Sequence, residues 1–168
     1  MLFSKRCFTA FAVLALLAGA NHVQSVRAAE GEDGSHKGFI VSFEDAKTKA
    51  TSDEKDIFME FTGSDWCPPC ISLNNKVLQS SQWQQRVGDR VLMHICDFPV
   101  KKNISPQDQA ENNRLAKSFN VTSYPTQILL GPSGKVLDRR QGYSPGPITP
   151  YIDRVQSFAP VDAPQTQQ

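Results

Sequence analysis

The chain is short of cysteine, of net charge and of long apolar runs, and each shortage excludes something. Four cysteines among 168 residues, at positions 7, 67, 70 and 96, cannot build the multi-bridge framework that staples small secreted domains. With 18 Lys and Arg against 17 Asp and Glu, no field of one sign is available to hold nucleic acid or an anionic membrane surface. The extended apolar run, Phe8 to Ala18, falls short of the roughly 20 residues that a helix needs to span a bilayer. No internal repeat is visible. What remains, at 39% hydrophobic and 21% charged, is the composition of one ordinary globular domain.

The first 28 residues, MLFSKRCFTAFAVLALLAGANHVQSVRA, have the parts of a secretory signal. Lys5 and Arg6 open it, the apolar run follows, and small residues offer two cuts, after Ala20 or after Ala28. The later cut removes Lys5, Arg6, Arg27 and Cys7 but no acid, leaving 15 basic residues against 17 acidic ones and three cysteines. With no cysteine placed after the run to carry a lipid, a soluble exported protein is expected. It would be periplasmic or extracellular, monomeric, and without stable membrane insertion once the signal is gone. The expected layout is a signal over 1–28, a flexible lead-in over 29–38, one domain over 39–159 and a disordered tail over 160–168.

Within the domain, Phe43, Ala46 and Ala50 predict a helix from Ser42 to about Thr51, and DIFMEF, Asp56 to Phe61, a buried strand. After the cysteine pair, Ile71, Val77 and Leu78, then Trp83 and Val87, keep helical intervals with a break near Ser80. RVLMHICDF is the next strand. SPQDQAENNRLAKSFN reads as a helix with Ser105 as N-cap, Pro106 in the first turn and Asn120 at a left-handed C-terminal cap. TQILL and KVLDRRQ flank GPSG as a hairpin, and TPYIDRVQSF closes as a helix burying Ile152, Val155 and Phe158. Trp83 and Phe119 are expected in the core. The order predicts an α/β fold with a central mixed sheet and helices on both faces.

The chemistry concentrates in EFTGSDWCPPC, Glu60 to Cys70. The two cysteines fall where a buried strand gives way to a helix, and free N–H groups at a helix start favour an anion, so a thiolate at Cys67 would have a lowered pKa. Cys70, one turn further in, could attack a mixed disulfide formed at Cys67, and an oxidising compartment would let the two bond. Pro68 and Pro69 fit the first helical turn, fix the backbone, and remove N–H donors that might otherwise solvate the thiolate. The couple should therefore be less oxidising than one with ordinary residues between its cysteines.

FTGSDWCPPC, followed by NVTSYPTQILLGPSGKVL, resembles the thioredoxin family, particularly its exported bacterial members, over about Phe39 to Phe158. The resemblance implies a thioredoxin-like fold and thiol–disulfide oxidoreductase activity, with reduction favoured by the two prolines. It makes Cys67 the nucleophile, Cys70 the resolving thiol and Pro125 a cis-proline facing them. Trp66, Tyr124 and Thr126 would flank the substrate groove. Partners would be proteins bearing thiols or disulfides, with a membrane electron donor for the reducing direction; no metal or organic cofactor is required. Glu60 matches the family's buried carboxylate, which relays a proton to the resolving thiol. The sequence departs from the usual pattern twice, with Glu in place of Asp and one extra residue in FTGSDW; the alternative for Glu60 is a solvent-facing acid on a half-covered strand.

Other readings of the same residues stay open. His94 and Cys96 point to one face of a strand, and with Cys67 and Cys70 they would supply four ligands for zinc or copper, making the protein a metal carrier. Cys96 alone reads as a small buried apolar residue, or as a third redox thiol near the same sheet edge. A non-catalytic module could hold a partner near Trp66, Tyr124 and Pro125 with its disulfide permanently closed. Asp97 reads as a loop cap, and Lys101 and Lys102 as a solvated loop face.

Overall fold

The structure is a computed structural model that describes residues 28–29 and 38–158. The expected signal up to residue 27, lead-in residues 30–37 and residues 159–168 lie outside the described residues. Six strands form one sheet: β1 (Ala28–Ala29), β2 (Phe39–Ile40), β3 (Asp56–Thr62), β4 (Val91–Asp97), β5 (Thr126–Leu130) and β6 (Val136–Gln141), in the spatial order β1-β2-β4-β3-β5-β6. β3 runs parallel to β4 and antiparallel to β5; β2 is parallel to β4, and the β1–β2 and β5–β6 pairs are antiparallel. All seven residues of β3 are buried, as a central strand covered on both faces requires.

Alternation along the strands divides the core. Phe58, Ile95 and Leu129 face a cluster that includes Leu73, Val77, Leu78, Trp83, Ile152 and Val155. These come from α2 (Pro68–Leu73), a π-helical continuation over Asn74–Leu78, α3 (Ser81–Arg86) and α5 (Ile148–Gln156). Ile57, Met59, Phe61, Leu92 and Cys96 face the other way, against Phe43, Ala46 and Ala50 of α1 (Phe43–Asp53) and Leu115 of α4 (Pro106–Ser118). This is the predicted mixed sheet with helices on both faces.

The helix starts follow their caps. Ser42, Ser80 and Ser105 accept N–H bonds from Asp45, Trp83 and Asp108, each satisfying a donor that the first turn leaves over. Asn120 adopts φ 49° just beyond α4, the left-handed position expected from its sequence. Three expectations are corrected. The cysteine-bearing helix widens after Leu73 into π geometry, with the Gln79 N–H reaching the Asn74 carbonyl at 2.9 Å, and Ile71 stays outside at 38% exposure. Phe119 and Phe158 are half-buried, packed against the two core clusters rather than enclosed within them. No helix among the described residues is long and apolar enough to cross a membrane.

Candidate active site

The end of β3, the end of β4 and the start of β5 meet at one sheet edge, since Thr62 pairs with Asp97 and Phe61 with Thr126. β3 ends at Thr62 and the chain turns at Gly63, whose carbonyl accepts from the N–H groups of Trp66 (3.3 Å) and Cys67 (2.9 Å). The Trp66 indole folds back over Gly63 so closely that a Cβ there would lie 2.5 Å from a ring carbon. Only glycine fits that approach. The indole N–H donates to the Phe98 carbonyl at 2.7 Å, and its ring meets Tyr124 edge-on at 5.9 Å between centroids, a favourable aromatic geometry.

Cys67 is the N-cap of α2, and Pro68 and Pro69 begin the helix, where a missing N–H leaves no helical bond unmade. The Cys67 side chain makes no capping hydrogen bond. Its sulfur is bonded to that of Cys70, with the two Cα atoms 5.3 Å apart. Both residues are buried in this oxidised form, Cys70 the deeper at 1% against 4% exposure.

Glu60 is fully buried, so the solvent-facing alternative is excluded. Two residues beyond Phe58, it points to the sheet face that α2 covers. Neither carboxyl oxygen has a hydrogen-bond partner among the described residues. Burial pushes its pKa up to about 8; the Thr62 side chain works against that rise and the Asp97 charge adds to it. Opposite Glu60 on β5 stands Gln127, whose side-chain oxygen accepts from the Tyr151 hydroxyl at 3.3 Å. Burial, reinforced by the charge of Glu60, drives the Tyr151 pKa upward.

The peptide bond between Tyr124 and Pro125 is cis, and the Trp66–Tyr124 contact brings this turn beside the segment that leads into the disulfide. Thr126 is fully buried and its hydroxyl donates to the Ser123 carbonyl at 2.8 Å. Its side chain therefore ties the turn together from a buried position.

The four-ligand metal set does not assemble. His94 and Cys96 do share a face, but it is the face under α1 and α4, while Cys67 and Cys70 belong to the helix on the other side of the sheet. Among the described residues no group of three or more His, Cys, Asp or Glu is placed to hold a metal. His94 Nδ1 lies 2.8 Å from the Ile40 carbonyl, which only accepts, so Nδ1 carries the proton and Nε2 accepts from the Cys96 thiol at 3.4 Å. Burial lowers the His94 pKa to about 4 against the opposing Ile40 bond. Burial likewise raises the Cys96 thiol well above its ordinary value, with Glu111 adding to the rise and Arg114 opposing it. A neutral, enclosed thiol is a poor third redox partner.

Four site residues were not visible as such in the sequence. Besides Gly63 and Phe98, Ser64 donates to Asp97 from both its N–H (2.9 Å) and its hydroxyl (2.6 Å), so Asp97 does cap a loop. Asp65 accepts from three successive backbone N–H groups, those of Val100, Lys101 and Lys102, at 2.9, 2.6 and 2.9 Å. The one available signal was the extra residue in FTGSDW.

Residues 43–156 match the family described as thioredoxin-like domain. A Chlamydia pneumoniae protein named disulfide bond reductase DsbH is 36% identical over 117 residues, 69% of each chain. The thioredoxin-related protein DsbJ of the same organism is 28% identical over 131 residues, which are 75% of this chain and 36% of that relative. A solved structure titled DsbH Oxidoreductase is similar at 32% identity with a TM-score of 0.65, covering 70% of this chain and 81% of that one. With a cysteine pair bonded at the junction of a central strand and a helix, these matches place the chain in the thioredoxin-like family, as a thiol–disulfide oxidoreductase built on Cys67 and Cys70.

Proposed function

We propose that this oxidoreductase is an exported, monomeric reductase of disulfides in other proteins. The observation that carries the direction is the start of α2: Cys67 receives no capping bond, and the next two residues are prolines without N–H groups. A thiolate with few donors is poorly stabilised, and a reduced form that is poorly stabilised gives up its electrons readily. The name of the 36% identical relative, a disulfide bond reductase, supports the same direction, and the signal-like first 28 residues support export.

In the proposed cycle the Cys67 thiolate attacks one sulfur of a client disulfide. The client bond breaks, a Cys67–client disulfide forms, and the departing client sulfur takes up a proton. Cys70 then loses its proton to Glu60 and attacks the Cys67 sulfur, forming the Cys67–Cys70 disulfide and releasing the second client thiol. Two electrons have passed from protein to client, and a membrane thiol carrier would return them. Glu60, with its pKa near 8, is suited to accept a proton close to neutral pH. Trp66, Tyr124 and Pro125 would border the client groove, and Thr126 would hold its turn.

The test is the midpoint potential of the Cys67/Cys70 couple, equilibrated against glutathione buffers. A value near that of thioredoxin, about −270 mV, is expected. A value near −120 mV, on the order of the strong oxidants, would reverse the direction, and a disulfide that never equilibrates would favour the non-catalytic binding module.

A further inference from the structure

We propose that Asp65 is a positioning residue for the exchange reaction, fixing the segment 98–102 as a wall of the client groove that receives an apolar side chain beside the client's cysteine. This rests on the reading that the clients are proteins. Five residue pairs are hydrogen-bonded between the adjoining stretches: Ser64 with Asp97, Trp66 with Phe98, and Asp65 with the backbone of Val100, Lys101 and Lys102. A carboxylate that gathers three consecutive N–H groups holds a loop tip that would otherwise be free to fray. Desolvation tends to raise the Asp65 pKa, but those three N–H groups outweigh it and hold the carboxyl below the usual range. The clasp is therefore charged wherever exchange operates.

What it holds is an apolar surface. Four large hydrophobic residues are exposed among those described, and three of them, Trp66 (42%), Ile71 (38%) and Val100 (75%), lie on the segments that frame the disulfide. Phe98 and Tyr124 continue the surface, with ring centroids 5.1 Å apart, and Tyr124 contacts Trp66 in turn. Single exposed apolar residues need no explanation, but several gathered on the segments beside a reactive bond mark a place where a partner's apolar side chain can leave water. A small disulfide would use only the sulfurs, whereas an unfolded segment would use these residues as well.

The experiment compares reduction of insulin with reduction of hydroxyethyl disulfide, each at saturating dithiothreitol, in wild-type protein and in Asp65→Ala, Asp65→Asn and Val100→Ser. The expected result is a fall in the ratio of the two kcat/KM values by about five-fold for Asp65→Ala, residing in KM for insulin, as loss of one modest apolar contact gives. Asp65→Asn, which keeps one carbonyl acceptor, should recover part of it. Val100→Ser, which leaves the backbone bonds in place, should move the ratio the same way, and it decides the matter if Asp65→Ala does not fold. An unchanged ratio overturns the proposal. So does an equal loss on both substrates, or a shifted midpoint potential, since either would place Asp65 on the couple itself. If the wild-type protein reduces hydroxyethyl disulfide but never insulin, the protein-client reading fails and takes this inference with it; turnover of insulin with an unmoved ratio sinks the inference alone.

Discussion

Glu60 and His94 lie on adjacent strands, face opposite sides of the sheet, and bias stability in opposite senses as pH changes. Glu60 has its pKa raised from 4.5 to about 8, chiefly by burial, so between those values the native state keeps a proton that the unfolded chain has lost. Stability from this group is full below pH 4.5 and falls as pH rises toward 8. His94 is lowered from 6.5 to about 4, again chiefly by burial; between those values the unfolded chain binds the extra proton, so stability falls as pH drops. The two trends oppose each other from about pH 4.5 to 6.5, and above 6.5 only that of Glu60 remains. Urea unfolding of the oxidised protein should therefore show a decline between pH 6.5 and 8 of up to about 2 kcal/mol, at roughly 1.4 kcal/mol per pH unit. Glu60→Gln should abolish that decline. If the variant declines as steeply as the wild type, the proton is held elsewhere and Glu60 loses its place as acceptor for Cys70.

At the scale of elements, the contribution of a contact depends on where it sits. Ser80 serves two helices at once, donating to the Val77 carbonyl at 2.6 Å and accepting from the Trp83 N–H at 3.1 Å. Ser80→Ala removes both bonds and should cost about 1–2 kcal/mol, the range for a lost N-cap. The forked Arg154–Asp138 pair between α5 and β6 has equally short distances, 2.5 and 2.8 Å. Its arginine side chain is 49% exposed, however, so Asp138→Asn should cost only about 0–1 kcal/mol and the loss should vanish in molar salt. Chemical denaturation of both variants at low and high salt checks the ranking; equal, salt-independent losses would contradict it. The Ser105 cap was legible in the sequence because capping is local, whereas Ser42 and Ser80 read only as a helix start and a helix break. The π-helical Asn74–Leu78 was not legible. Leu73, Val77 and Leu78 all pack against the sheet there, and that demand comes from tertiary packing that no single-helix period records.

For the whole molecule, the sheet separates the cysteine pair from His94 and Cys96, with a core cluster on each face. The element order and the cysteine pair at a strand–helix junction could be read because each is written in consecutive residues. Pairing across the sheet is not local, and it decides between readings that the sequence leaves open: His94 and Cys96 do share a face, but that face lies under α1 and α4, away from the helix that carries Cys67 and Cys70. The Asp65 clasp reaches 35–37 residues along the chain, so the extra residue in FTGSDW could be noticed but not explained. This separation makes a prediction about Cys96, which is fully buried, bonded to a neutral His94 and held as a thiol. Cys96→Ser should preserve the bond to His94 while replacing an apolar sulfur with a more polar oxygen in an apolar cluster, a cost of roughly 1–3 kcal/mol. The lower urea midpoint should come with an unaltered Cys67/Cys70 potential. A shift beyond about 30 mV, equivalent to about 1.4 kcal/mol on a two-electron couple, would mean that the third thiol communicates with the first two through the sheet. The two faces would then have to be treated as one redox unit.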